Sequence, residues 1–243
     1  MKGVILAGGK GTRLYPLTYA TSKHLLPIYD QPMIFYPIKT LVEAGVDEIL
    51  IVTGGPHAGH YVRVLKNGEG LGLKNLSYAY QEESGGIAQA IALAEDFADN
   101  DSICVILGDN TTDADISKTV EDFNQGALIF LKKYENKNKL KRFGVPVFDN
   151  SGQKIVKVEE KPDSPQSSYA QTGLYLYDKT VFDKIRSLKP SNRGELEVSD
   201  LNTLYAEKSQ LYWAELEGFW SDAGTFSSLY QSSKYWADKS GEK

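Results

Sequence analysis

A short apolar run, Val4-Ile5-Leu6-Ala7, breaks straight into Gly8-Gly9-Lys10-Gly11-Thr12-Arg13. A brief apolar run stopped by glycines reads as a buried strand. Glycines directly after a strand let backbone N–H groups approach a phosphate with no Cβ in the way. The same grammar recurs down the chain. Glu48-Ile49-Leu50-Ile51-Val52-Thr53 stops at Gly54-Gly55-Pro56, Leu76 to Tyr80 makes a third strand, and Ser102 to Leu107 a fourth. Met33–Ala44, His57–Lys66 and Ile87–Phe97 carry helical spacing between them. Strands alternating with helices at this spacing predict βαβ units: an α/β fold with a mainly parallel sheet and helices on both faces.

From about residue 127 the pattern changes. Ala127–Lys132, Val145–Phe148, Lys154–Val158 and Gly173–Tyr177 read as strands with few helices between them, as in a partly antiparallel region. Helices follow near Thr180–Ser187 and Val198–Lys208, then a strand at Gln210–Leu216 and a last helix from Thr225. No Pro/Gly/Ser-rich linker or internal repeat separates the halves, so one domain is expected. Its lobes are 1–126 and 127–243, the second smaller, with a mixed or antiparallel sheet.

The length, 243 residues, is enough to bury a core without covalent staples, and 41% hydrophobic with 24% charged residues is ordinary for a globular chain. The single cysteine, Cys104, excludes an intrachain disulfide. No run approaches a membrane span or a signal-peptide apolar core, so a cytoplasmic protein without a membrane partner is expected. A net charge of −5 argues against a nucleic-acid partner. Residues 1–29 nevertheless hold Lys2, Lys10, Arg13 and Lys23 and no acid, a local surplus suited to a small anionic ligand.

The glycine loop fails two familiar templates. In a Walker A loop Gly-Lys precedes Ser or Thr, but Lys10 is followed by Gly11; a dinucleotide fingerprint needs a third glycine where Leu14 stands. What remains is Gly-Gly-x-Gly-Thr-Arg, with an arginine whose paired donors suit phosphate oxygens. The stretch Leu6-Ala7-Gly8-Gly9-Lys10-Gly11-Thr12-Arg13-Leu14 resembles the signature of the sugar-nucleotide pyrophosphorylases, a nucleotidyltransferase family. The likeness continues in order through Ser22-Lys23-His24-Leu25-Leu26-Pro27, Leu107-Gly108-Asp109-Asn110, Phe143-Gly144-Val145 and Glu159-Glu160-Lys161-Pro162. Thr172-Gly173-Leu174-Tyr175, Arg193-Gly194-Glu195-Leu196-Glu197 and Trp220-Ser221-Asp222-Ala223-Gly224-Thr225 extend it towards the C-terminus. Within the family, Gln81-Glu82-Glu83-Ser84-Gly85-Gly86-Ile87-Ala88-Gln89-Ala90 resembles the glucose-1-phosphate thymidylyltransferases. Gln171 stands where the resemblance leads one to expect an apolar residue, and Thr111-Thr112-Asp113 where relatives often carry aromatic residues. The chain also resembles the short form, without the C-terminal helices that help build a regulatory site.

The resemblance implies a Rossmann-like twisted sheet and the condensation of dTTP with α-D-glucose 1-phosphate to dTDP-glucose and pyrophosphate. The attacking phosphate is already ionised, so no protein nucleophile is required, and catalysis consists of positioning and charge neutralisation. Implied nucleotide contacts are Leu6, Ala7, Gly8, Gly9, Gly11, Thr12, Arg13, Gln81, Gly86 and Asp109. A glutamine amide both donates to and accepts from a pyrimidine imide edge, which suits Gln81 to the base. Arg13 would hold the triphosphate, Lys23 would stand by the α-phosphate, and Lys161 with Arg193 would hold the sugar phosphate. Asn110, Gly144, Glu160, Thr172, Gly173 and Tyr175 complete the sugar-phosphate set, with Arg13, Lys23, Asp109 and Lys161 as the catalytic residues. Asp109 and Asp222, the latter placed in the second lobe, would share a Mg²⁺ ion. A homo-oligomer, dimer or tetramer, is also expected. The alternatives are a UTP-preferring or dual-specificity enzyme, and a regulator that binds a sugar nucleotide without turnover.

Blander readings stand beside these. His57 and His60 lack a carboxylate partner pattern and read as a surface helix feature, Cys104 as core, and the basic run from Lys132 to Arg142 as solvated. Gln81 could be a strand-end amide, and either aspartate a helix cap.

Overall fold

The computed structural model describes residues 1–241. Its strands are β1 (Lys2–Ala7), β2 (Pro27–Ile28), β3 (Gln31–Pro32), β4 (Glu48–Gly54), β5 (Asn75–Gln81), β6 (Ile103–Leu107), β7 (Asn110–Thr112), β8 (Ala127–Lys133), β9 (Gly144–Phe148), β10 (Ile155–Glu160), β11 (Tyr169–Tyr177), β12 (Leu211–Glu215) and β13 (Trp220–Asp222). The helices are α1 (Phe35–Glu43), α2 (Ala58–Leu65), α3 (Ile87–Ala92), α4 (Glu95–Ala98), α5 (Ser117–Asp122), α6 (Val181–Ser187), α7 (Val198–Glu207) and α8 (Phe226–Ser240). The protein is a mixed α/β fold whose principal sheet has seven strands.

The chain divides into two compact units. The amino-terminal unit takes Lys2–Ser84 and Ile106–Ser117 and is completed by the chain from Gly218 onward. The inserted unit takes Gly85–Val105 and Lys118–Glu217, with Met1. Strand β6 contributes its first three residues to the inserted unit and its last two to the amino-terminal unit.

In the amino-terminal unit the strand order is β6-β1-β4-β5, with β1–β4 and β4–β5 parallel. Val4, Ile5, Ile49, Ile51 and Val52 are fully buried, as expected of apolar runs covered on both faces. Each such side chain contributes about 1.5–3 kcal/mol of transfer free energy. A small antiparallel pair, β7 with β13, sets Asp222 opposite Asn110. Strands of three residues carry too little periodicity to be seen in sequence.

In the inserted unit the order is β12-β8-β11-β6, with β11 antiparallel and β12 parallel to β8. A separate antiparallel pair, β9 with β10, sets Gly144 opposite Glu160. This mixed pairing matches the change of grammar after residue 126. The expected single helix Ile87–Phe97 is instead two short ones. Ala94 N–H bonds to Ile91 O at 2.9 Å, a tighter turn that separates α3 from α4. Cys104 is fully buried on β6, and burial pushes its thiol up to about 12. Among the described residues no helix is long and apolar enough to cross a membrane.

Candidate active site

The amino-terminal unit builds its site where β1 ends. Gly9 and Gly11 have φ of +95° and +63°, left-handed conformations that favour glycine. Gly8 has no left-handed φ, but a Cβ there would stand 2.8 Å from Gln81 Oε1 and displace that amide. Gln81, the last residue of β5, thus lies over the start of the loop. The loop then tightens into a 3₁₀ turn, Thr12–Leu14, and the Thr18 hydroxyl pins it by donating to Gly11 O at 2.9 Å. The strand-end carbonyls are taken as well, Leu6 O by Gly108 N–H and Ala7 O by the Tyr61 hydroxyl, both at 2.9 Å. A cavity of about 300 Å³ opens beside Gly9, Lys10, Gly54, Gln81 and Ser84.

A charge centre stands next to this loop. The Lys23 ammonium is ion-paired to Asp109 Oδ2, and Asn110 Nδ2 donates to Asp109 Oδ1 at 3.0 Å. Burial alone would raise the Asp109 carboxyl. The positive charge of Lys23, with a smaller electrostatic contribution from His24 and the hydrogen bonds from Lys23 and Asn110, outweighs burial and holds Asp109 well below the usual carboxylate range. Arg13 belongs to the same centre. A Cβ on Gly224 would meet Arg13 Nη2 at 3.0 Å and Asp109 Oδ2 at 3.3 Å, so glycine at 224 leaves room for both groups. Strand β13 brings Asp222 alongside: Ala223 N–H donates to Asp109 O at 2.8 Å, and Trp220 Nε1 donates to Asn110 Oδ1 at 2.8 Å. Asp109, in the turn between β6 and β7, and Asp222, at the end of β13, therefore belong to one unit, whereas the sequence suggests separate lobes.

Behind Lys23 lies a polar support absent from the sequence reading. His24 is 1% exposed, and its Nδ1 lies 2.7 Å from the Tyr61 hydroxyl and 3.2 Å from Ser22 Oγ. Burial first, and the charge of Lys23 second, push His24 down to about 3 against the pull of Asp109, so the ring is neutral at neutral pH. Tyr61 thereby ties the turn carrying Lys23 to the end of β1.

The inserted unit builds a second centre at the end of β10. Lys161 Nζ pairs with Glu160 Oε1 at 3.0 Å, and Ser199 Oγ donates to Glu160 Oε2 at 2.7 Å. Arg193 Nη2 lies 3.5 Å from Glu160 Oε1, while Arg193 holds Glu197 through Nε at 3.0 Å and Nη2 at 2.7 Å. Burial raises the Glu197 carboxyl, but the hydrogen bonds from Arg193 and Ser191 bring it below its ordinary value. Lys161 has φ +45°, a conformation rare for a side chain of this size. Its N–H donates to Phe143 O at 3.0 Å, which fixes it beside Gly144. Local strain of this kind clusters at functional sites.

The other sequence-predicted residues fall as follows. Gly144 faces Ser199 Oγ and Gln171 Nε2, 2.9 and 3.0 Å from where a Cβ would stand. Thr172 spends its hydroxyl proton on Phe130 O at 2.8 Å, and Tyr175 is a 2%-exposed core ring stacked on Tyr177. Gly173 lies between them on β11. Asn110 belongs to the amino-terminal unit, and its amide bridges Asp109 and Trp220. Gly86 lies in the inserted unit with φ +103°, and a Cβ there would stand 2.5 Å from Leu196 O, so conformation and close packing require glycine. The His57 and His60 rings lie against each other, 5.2 Å apart. Among the described residues no group of three His, Cys, Asp or Glu is placed to hold a metal. Ser199, Gln171, Gly224 and the His24–Tyr61 pair are site components that the sequence reading did not assign. Gly224 and His24 had a signal as parts of motifs, and Gln171 as a departure from one; Ser199 and Tyr61 had none.

Comparison with known proteins accords with this geometry. The nucleotidyl transferase family matches residues 2–239. A glucose-1-phosphate thymidylyltransferase of Neisseria meningitidis is 44% identical over 97% of this chain and 82% of its own length, and one of Mycolicibacterium smegmatis is 43% identical with the same coverage. A Bacillus anthracis chain described as a glucose-1-phosphate thymidylyltransferase, crystallised with sucrose, superposes with a TM-score of 0.89. It is 46% identical, over 97% of this chain and 94% of its own. A UDP-glucose pyrophosphorylase at 23% identity and a TM-score of 0.83 shares the fold. With the family matching nearly the whole length and relatives above 40% identity, the chain belongs to the nucleotidyl transferase family.

Proposed function

We propose that the protein is a glucose-1-phosphate thymidylyltransferase, condensing dTTP with α-D-glucose 1-phosphate to dTDP-glucose and pyrophosphate. The observation that carries this reading is the gathering of Arg13, Lys23, Asp109 and Asp222 around the glycine loop within one unit. In the reaction an ionised phosphate oxygen attacks the α-phosphorus and pyrophosphate leaves in line, so the protein's task is to neutralise and align charge.

In this reading the amino-terminal unit takes the nucleotide. The N–H groups of Gly8 to Thr12 meet the phosphates, Arg13 holds the leaving pyrophosphate, and Lys23 stands by the α-phosphate. Gln81, anchored over Gly8, reads the pyrimidine edge. The inserted unit takes the sugar phosphate. Lys161 and Arg193 bind its phosphate, and Glu160 accepts from sugar hydroxyls. Gly144 and Gly173 contribute through their backbone, and the spent hydroxyl of Thr172 and the buried ring of Tyr175 are left as scaffold.

Asp109 and Asp222 are hard oxygen donors, Asp222 pairing across β13 and β7 with the residue next to Asp109, and Asp109 is held ionised, which suits them to Mg²⁺. When bound, that ion would offset charge developing on the triphosphate. A homo-oligomer of a protein working in the cytoplasm belongs to the same reading.

The test is pyrophosphate release with glucose 1-phosphate and each of dTTP, UTP, CTP, ATP and GTP. dTTP and UTP should outpace the others, with the thymine methyl worth only about 1–3 kcal/mol between them. Equal turnover with a purine triphosphate would overturn the assignment of Gln81, and no turnover of any pair would overturn the reaction.

A further inference from the structure

Gln171 is 5% exposed, and its carboxamide is only half used. Asn202 Nδ2 donates to Gln171 Oε1 at 2.8 Å, and the Tyr177 hydroxyl donates to Asn202 Oδ1 at 2.8 Å. All three side chains are buried, and the chain of bonds has a direction. Tyr177 fixes which end of Asn202 faces Gln171, and Asn202 fixes which end of Gln171 faces outward. The outward end is Nε2, two N–H donors with no protein partner among the described residues.

Nε2 lies 3.0 Å from where a Cβ on Gly144 would stand, and Ser199 Oγ lies 2.9 Å from the same point. Gly144 has no left-handed φ, so glycine here supplies space and not conformation. That space is bordered by Nε2 of Gln171, by Ser199, and through Ser199 by the Glu160 carboxylate. A side-chain amide donor held in one orientation at the edge of such a space is set to meet an accepting oxygen.

We infer that Gln171 is a specificity-determining residue. Its Nε2, aimed by Asn202 and Tyr177 into the space left by Gly144, donates to one hydroxyl oxygen of a hexose 1-phosphate and rejects sugar phosphates that lack an acceptor there. The inference rests on the proposed function and deepens it. Glu160 beside it can only accept, so the pair forms a donor–acceptor edge that recognises a hydroxyl from both sides. The apolar residue expected at this position would leave that edge one-sided.

The experiment pairs the protein and the substrate. Wild type and Gln171→Met are assayed at saturating dTTP with glucose 1-phosphate and with its 2-, 3-, 4- and 6-deoxy analogues. Wild type should lose about tenfold or more in kcat/KM on one deoxy analogue. Gln171→Met should lose a similar factor on glucose 1-phosphate, bring the ratio for that analogue close to one, and leave the KM for dTTP within twofold. Asn202→Leu, which frees the Gln171 amide to turn, should relax the same ratio part of the way and serves where Gln171→Met does not fold. Ratios that both variants leave unchanged would overturn the assignment of Gln171 while wild-type turnover leaves the reaction standing. If folded wild type releases no pyrophosphate with any sugar phosphate, the proposed function falls and this inference falls with it.

Discussion

The two charge centres differ in how they treat water. In the amino-terminal unit the ion pair of Lys23 and Asp109 is nearly buried, with side-chain exposures of 14% and 10%. In the inserted unit Lys161 and Arg193 are each 43% exposed, against Glu160 at 25%. A buried pair is held in a weak dielectric, and removing one partner strands the other at a cost of about 3–5 kcal/mol. A half-exposed pair is screened, and its strength is on the order of 1 kcal/mol or less. The buried centre is therefore rigid and set in advance of any ligand. In the open centre the contacts to Glu160 are exchangeable, so Lys161 can turn to an incoming phosphate at little cost, while Arg193 stays held by the nearly buried Glu197.

The largest expected effect breaks the buried centre. Asp109→Asn keeps the size of the side chain and removes its charge, and should lower kcat by about 10²-fold or more, the scale of one lost preorganised electrostatic contact. Asp222→Asn should act in the same direction. If both serve one ion, the double variant should fall short of the product of the two single effects. Pyrophosphate release across a Mg²⁺ titration checks this, and near-normal turnover by either variant at limiting Mg²⁺ would reduce that aspartate to a structural role.

An intermediate effect probes the open centre. Lys161→Ala should raise the KM for glucose 1-phosphate by the equivalent of about 1.5–3 kcal/mol and leave the KM for dTTP near its starting value. Because the site is half-exposed, the difference between wild type and variant should shrink as salt is added. A change confined to dTTP would assign Lys161 to the nucleotide and erase the contrast between the centres.

The smallest effect reports on the support of the buried centre. His24 falls from an ordinary value of 6.5 to about 3 in the fold, so the unfolded chain binds more protons between those values. Stability from the neutral ring is complete above pH 6.5 and declines as pH falls towards 3, at no more than about 1.4 kcal/mol per pH unit. His24→Gln, which keeps a polar group for Tyr61 but does not titrate, should flatten that acid-side slope in urea unfolding. An unchanged slope would mean that other groups carry it.

The parallel strands β1 and β4, the glycine loop and the later shift to mixed pairing were all legible, because apolar runs and glycine stops are local signals that survive without tertiary context. Arg13, Lys23, Asp109, Glu160, Lys161 and Arg193 were legible as members of ordered motifs. The pairing of Asp109 with Asp222 was legible only through the resemblance; that Asp222 belongs to the amino-terminal unit was not legible, since it depends on β13 pairing with β7, two strands of three residues far apart in sequence. Nor was the burial of Tyr175 or the hydroxyl bond of Thr172, because alternation along β11 does not say which face meets the core and which the site.

What the sequence by itself determined was composition of the site: which cations, carboxylates and glycines the chain carries, and in what order. The tertiary structure decided how they are used. It placed Gly8 beneath Gln81 and Gly224 beside Arg13, and it turned Gln171 outward through Asn202 and Tyr177. These are contacts between distant segments, fixed by packing and by the need of each buried polar atom for a partner, and neither is written in local spacing.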